Sequence, residues 1–353
     1  MRASGSFSTA VEDLSKKALK VIFMIKRKFH CTHNNTPLLL KLFDSCVKPV
    51  LLYGSELWGP YILNLDKRLT QGSNDDLEKT FLNFAPEKVH IRYCKYVLGA
   101  TKYALNIASM AELGRYPISI FVILQSLKYW LYLYKDPLLN FSKLAYKSIE
   151  EVDCTFPCTF NKHIFKFLKL INFDHVWNNK GTMSEGKLIS AVKKILQERY
   201  GNYFFSCLSG EKQNKLRTYY KLKEEYKPET YTKLNIPKQY VRQLCKLRIS
   251  NHNLHIEKGR YNKTPLDQRI CTHCIDNKIE DEFHFICECN LYHEEREKFY
   301  DDIVNIIPCF CNLDNFDKFK YLMNCSETDV LTRFLIYIDK CILIRHSSVG
   351  IIA

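Results

Sequence analysis

Cys271-Thr-His-Cys274, then nine residues to His284, then four residues to Cys289, is the stretch on which the reading of this chain turns. It has the form C-x2-C-x9-H-x4-C. A C-x2-C pair can place two thiolates on one ion from a single tight turn. Zinc accepts thiolate and imidazole in a tetrahedral shell, and its structural sites use four protein ligands. The spacing therefore predicts one structural zinc ion held by Cys271, Cys274, His284 and Cys289. The polar, acidic excursion from Asp276 to Asp281 would carry the chain out before it returns with His284. The same residues also fit a cluster of buried cysteines around a hairpin, with no ion. His273, Cys287 and His293 compete as ligands. Cys287 is the strongest competitor, because it would give an H-x2-C ending, and the sequence leaves that choice open.

The chain around this unit is long and basic. Its 353 residues can hold about two or three domains. A hydrophobic content of 46% excludes a disordered tail. Lysine plus arginine number 52 against 38 acidic residues, a formal net charge of +14. That balance favours a polyanionic partner, nucleic acid first and an anionic membrane surface second. The 15 cysteines are odd in number and scattered, with no signal peptide ahead of them. Metal binding or plain burial in a reducing, intracellular compartment (cytoplasm or nucleus) fits them better than a disulfide framework. No apolar run reaches the roughly 18 residues of a membrane span. The nearest, Ile118 to Tyr134, is interrupted by Gln125, Ser126 and Lys128 and reads as a core helix.

Elsewhere the pattern is helical. Val11, Leu14, Ala18, Val21, Ile22 and Ile25 recur at helical spacing. A second helix is expected from Pro37 to about Pro49. Gly54 marks a turn or a close packing point, and Trp58 reads as a core plug. Further helices are expected at Val89 to Leu98, Ala108 to Leu113 and Ile118 to Lys135, the first two stopped by Gly99 and Gly114. Together these predict a compact helical bundle over residues 10 to 150. Phe160 to Phe173, Ser184 to Tyr200, Val241 to Ser250, Tyr292 to Tyr300 and Phe316 to Ile344 continue the pattern. The fold class is therefore mainly α, with a small zinc-stabilised element of three cysteines and one histidine. The chain divides into a helical region at 1–150, a basic helical connector at 151–250, the zinc-binding cysteine-histidine region at 251–300 and a helical tail at 301–353.

Two kinds of charged site stand out. Asp75-Asp76 and Asp301-Asp302 are adjacent carboxylate pairs, but magnesium chemistry needs carboxylates that converge, usually from separate strands. Neither pair has an alternating hydrophobic frame, so a metal-dependent nuclease is disfavoured. The basic sequence is more informative. From Glu211 to Tyr240 lysines interleave with tyrosines, and Arg242 to Lys263 continues the positive charge. Basic side chains neutralise phosphates, and aromatic rings stack on unpaired bases. Lys212, Lys215, Arg217, Arg242, Lys246, Arg248, Lys258 and Arg260 are the candidate contacts, with Arg242, Lys246 and Arg248 expected on the outer face of their helix. The bland alternative is an ordinary surface helix with its tyrosines turned inward.

Several of these segments together resemble the C-terminal part of the polyproteins of non-LTR (LINE-type) retrotransposons, downstream of the reverse transcriptase palm. They are KPVLLYGSELWG at 48–59, VHIRYCKYVLGATK at 89–102, AELGRYPI at 111–118, LKYWLYL at 127–133, LRISNHNLHIEKGRY at 247–261 and CTHC with DEFHFICECNLYHEER at 271–296. The resemblance covers roughly residues 5 to 300. It implies a thumb-like helical region, a helical connector and the cysteine-histidine element, with Cys271, Cys274, His284 and Cys289 as ligands. It also implies contacts to element RNA or target DNA, and a reverse transcriptase palm upstream in a longer polyprotein. The family's catalytic carboxylates stand in an aromatic-x-Asp-Asp motif that this sequence does not contain, and its endonuclease is likewise missing. The expectation is a non-catalytic nucleic-acid-binding fragment. The alternative is a domesticated helical scaffold whose zinc loop docks a partner protein.

Overall fold

The structure, a computed structural model, describes residues 7–29, 35–63, 84–135, 141–152, 159–179, 183–209, 214–234, 236–274 and 277–349. Among these the fold is mainly α, as the apolar spacing predicts. The one β feature is an antiparallel bridge between Ile270 and Ile279. Asp75, Asp76, Cys154, Cys158 and Lys212 lie outside the described residues. No helix among the described residues is long and apolar enough to cross a membrane.

The Cα trace clusters into two compact units, each assembled from separated segments. The first comprises Met1–Lys28, Lys41–Tyr93 and Tyr116–Cys207. Its opening helix, Ser8–Lys28, buries Val11, Ala18, Ile22 and Ile25 along one stripe. The chain then tightens and loosens: a five-residue π-type turn, Phe43–Val47, leads into Lys48–Leu51. Gly54 turns the chain with φ +66, and helix Ser55–Leu63 follows. Trp58 plugs the core there, 3% exposed, and its Nε1 donates to the Tyr53 carbonyl at 2.9 Å.

Ser55–Leu63 lies against helix Ile118–Lys135. Gly59 makes the close approach possible, since a Cβ there would sit 2.6 Å from Val122 Cγ1. Ser126 Oγ donates to the Ser55 carbonyl at 3.1 Å, and Ser55 Oγ to Gln125 Oε1. The first N–H groups of a helix lack partners within it. Here the Ile118 N–H is taken by the carboxylate of Glu87, a fully buried residue that also holds His90 Nδ1 at 2.8 Å.

The second unit comprises Phe29–Leu40, Cys94–Arg115 and Leu208–Ala353. Helix Lys238–Arg248 buries Val241, Leu244, Cys245 and Leu247 and packs on the long helix Thr328–Val349. Gln243 Nε2 donates to Asp339 Oδ1 across that contact at 2.6 Å. Helix His293–Val304 packs on Thr328–Val349 as well, with the rings of Phe299 and Tyr337 stacked at 4.8 Å.

One expectation fails in this unit. Arg248 is not on the outer face of its helix but completely buried. Its Nε lies 3.2 Å from both oxygens of Glu112, and its Nη1 donates to the Met323 carbonyl at 2.6 Å and to Asn324 Oδ1 at 2.7 Å. Glu229 stands 3.0 Å from its Nη2. Lys223 Nζ enters the same interior, donating to Glu229 and to the Ala111 carbonyl. Two cations thus face two carboxylates, the condition under which buried charge is tolerated.

Candidate metal centre

The centre is built from a short hairpin and the turn that follows it. The Cys271 N–H donates to the Lys278 carbonyl at 2.7 Å, and the Glu280 N–H to the Arg269 carbonyl at 3.0 Å. These bonds close the two arms around the C-x2-C turn. The return arm leads into a five-residue π-type turn, His284–Glu288, after which Cys289 breaks to an extended conformation. Asp281 Oδ1 accepts the His284 N–H at 2.8 Å and so fixes the start of that turn.

Four ligand atoms converge there. Those of Cys271, Cys274, His284 and Cys289 all lie within 4.8 Å of one another. Cys274 Sγ is 3.5 Å from His284 Nε2 and 3.5 Å from Cys289 Sγ, and Cys271 Sγ is 3.9 Å from Cys289 Sγ. Cys271, His284 and Cys289 are buried, and Cys274 is half-buried. The arrangement could hold a metal ion.

Of Cys271, His284 and Cys289, the electrostatics shift only Cys271 toward the deprotonated form that a metal takes. Hydrogen bonding to Cys289 pulls the Cys271 thiol down to about 3 and pushes Cys289 up. For His284, burial works against the cation, but Cys271 and Glu288 raise its pKa. Glu288 Oε2 stands 3.5 Å from His284 Nδ1, the ring nitrogen away from the thiols. A carboxylate behind a ligating histidine fixes the ring's orientation and tautomer. The Asn290 N–H, 3.4 Å from Cys274 Sγ, adds a donor to sulfur.

The competing ligands stand apart from this group. Cys287 is outside the converging group and buried against Tyr300, where burial pushes its thiol up to about 12. His273 Nε2 is buried without a hydrogen-bond partner. His293 is exposed and faces Glu297. The geometry therefore selects Cys289 over Cys287.

Two glutamates that sequence reasoning did not single out tie the centre to its unit. Glu280 accepts the His255 N–H at 2.7 Å, at the start of helix His255–Tyr261, and pairs with both Arg345 Nη1 and Arg345 Nη2. Glu282, fully buried, takes Arg217 Nη2 at 2.8 Å, Thr218 Oγ1 at 2.8 Å, Ser250 Oγ at 3.0 Å and His252 Nε2 at 2.7 Å. Nothing in their spacing marked them. Glu288 did carry a signal, since it stands four residues after His284 on a turn.

The basic candidates divide. Arg248 and Lys215 are interior, Lys215 donating to the Tyr103 carbonyl at 2.8 Å. Arg217 is spent on Glu257 and Glu282, and Arg260 on Glu257. Arg242 is half-buried, its side chain against Gly99. Lys246 is half-exposed and Lys258 exposed, with no carboxylate paired to either among the described residues. Asp301 and Asp302 lie on the surface of helix His293–Val304, where Asp302 pairs with Arg333 at 3.3 Å. Comparison with protein-family models, curated proteins and solved structures finds no match to this chain.

Proposed function

We propose that the chain is a non-catalytic nucleic-acid-binding protein of the kind found at the C-terminal end of non-LTR retrotransposon polyproteins, with a structural zinc ion in its cysteine-histidine centre. The convergence of three thiols and one imidazole carries the zinc reading. A tetrahedral zinc with bonds of about 2.3 Å to sulfur sets its ligand sulfurs about 3.8 Å apart. Two of the three sulfur pairs here are 3.5 and 3.9 Å apart, and the third lies within 4.8 Å. Cys271, Cys274, Cys289 and His284 Nε2 would fill the shell and leave no open position for water or substrate. Such an ion contributes folding energy rather than Lewis-acid chemistry.

Support for the nucleic-acid reading is the net charge of +14 together with the unpaired lysines Lys246 and Lys258 close in sequence to the centre. A surface of this kind gives affinity that falls steeply with salt and shows little base preference. Two measurements test the proposal. Metal analysis of the purified chain should find one zinc per chain. Titration with single-stranded RNA and DNA should give an affinity that drops as salt rises. A flat or absent response would favour the scaffold reading.

A further inference from the structure

A cavity of about 400 Å³ opens beside the metal centre, inside the second unit. Its walls come from helix Lys238–Arg248, the Asn251 to Leu254 turn, Lys258, Phe285 and the end of helix Thr328–Val349. Among the described residues no carboxylate lines it, while Lys246, Lys258, His252, Arg345 and His346 do. Arg345 and His252 are already balanced by Glu280 and Glu282 behind them, which leaves the two lysines as the uncompensated cations of the wall. The lining is otherwise apolar, through Leu247, Leu254, Phe285 and Ile342.

Gln243 lines the cavity as well, its Nε2 committed to Asp339 at 2.6 Å. The volume falls in the range of small-ligand sites, which combine apolar walls with a few placed polar groups.

We propose that this cavity seats one unpaired nucleotide, with its phosphate on Lys246 and Lys258 and its base against the apolar wall. The proposal deepens the nucleic-acid reading and rests on it for the source of the nucleotide, a strand rather than a free monophosphate. It also couples the cavity to the metal centre. Phe285 follows the ligand His284, and Glu280 and Glu282, which hold Arg345 and His252 in the wall, stand on the arm leading to that ligand.

The test uses the full chain, metal-loaded, with a labelled 12-nucleotide single strand, adenosine 5′-monophosphate, adenosine and oligoglutamate. The expected result is that the monophosphate displaces the strand, adenosine does so at least tenfold more weakly and oligoglutamate does not. The Lys246→Gln/Lys258→Gln variant, with metal content and circular dichroism unchanged, should bind the strand at least tenfold more weakly. Lys17→Gln, which removes one exposed charge from the first unit, should lose less than threefold. Strand binding that survives the double variant overturns the cavity and leaves the nucleic-acid reading standing. Monophosphate bound with no strand affinity overturns that reading and keeps the cavity. Oligoglutamate competing as well as the monophosphate overturns the nucleotide assignment.

Discussion

Arg248 and Glu112 face each other in the interior of the second unit, the guanidinium Nε 3.2 Å from both carboxylate oxygens and neither residue exposed. Removing one partner of a buried pair strands the other. Arg248→Met should therefore destabilise the chain by about 3–5 kcal/mol, because Glu112 and Glu229 would lose their shared cation. Urea denaturation followed by circular dichroism measures it. A midpoint unchanged from the parent would contradict the burial of this arginine. Because Arg248 has no surface, the variant's folded fraction should bind polyanions as well as the parent does.

The metal centre makes a prediction by exchange of neighbours. Cys271→Ser and Cys289→Ser should each release the ion and loosen the region around residues 265 to 300, since each removes one of four converging ligands. Cys287→Ser should keep it, because that thiol packs against Tyr300 instead. Metal content per chain after dialysis is the readout. Retention by Cys289→Ser with loss by Cys287→Ser would reverse the ligand assignment.

These two cases mark where the sequence stops being legible. Helix Ile118–Lys135 has the bounds its pattern predicts, and Gly99 and Gly114 do stop their helices with φ of +65 and +59. Start and stop chemistry is local, so a linear reading captures it. The partner of Arg248 is 136 residues away, and although the arginine stands in line with Val241, Leu244 and Cys245 on the buried face, that position carries no mark of an acid so distant. The ligand choice failed to resolve for a different reason. Cys287 and Cys289 differ only in how the His284–Glu288 turn is wound, and a π-type turn is not visible in residue spacing. Lys215 went inside because its ammonium meets a backbone carbonyl, that of Tyr103, which has no signature in sequence at all.

Gly114 offers a test of backbone rather than side chain. Its φ of +59 is left-handed, and a Cβ there would come within 2.5 Å of the Pro228 nitrogen. The obstacle is backbone, which cannot swing aside as a long side chain can. Gly114→Ala should thus cost more than about 1 kcal/mol, adding a clash to the penalty of positive φ. Thermal denaturation beside Gly186→Ala, a helical glycine with open space around it, supplies the contrast: the second change should be neutral or stabilising. Equal effects at both positions would remove the steric argument.

Glu282 carries the pH prediction. Burial alone would raise its pKa, but the charges of His252 and Arg217 and the hydrogen bonds it accepts bring it down to about 2. An unfolded glutamate titrates near 4.3. The folded value is the lower one, so the stabilisation is fully present above the unfolded value and is lost as pH falls from about 4.3 toward 2. A shift of about two units corresponds to about 3 kcal/mol. Glu282→Gln keeps the shape and removes the charge, so the stability gap between parent and variant should be widest at pH 5.5 and should narrow by pH 3. Taking the difference cancels any loss of metal common to both proteins in acid. Denaturant midpoints at the two pH values, with metal content measured alongside, decide the matter. A gap of constant size would mean that the carboxylate acts through packing and not through its charge.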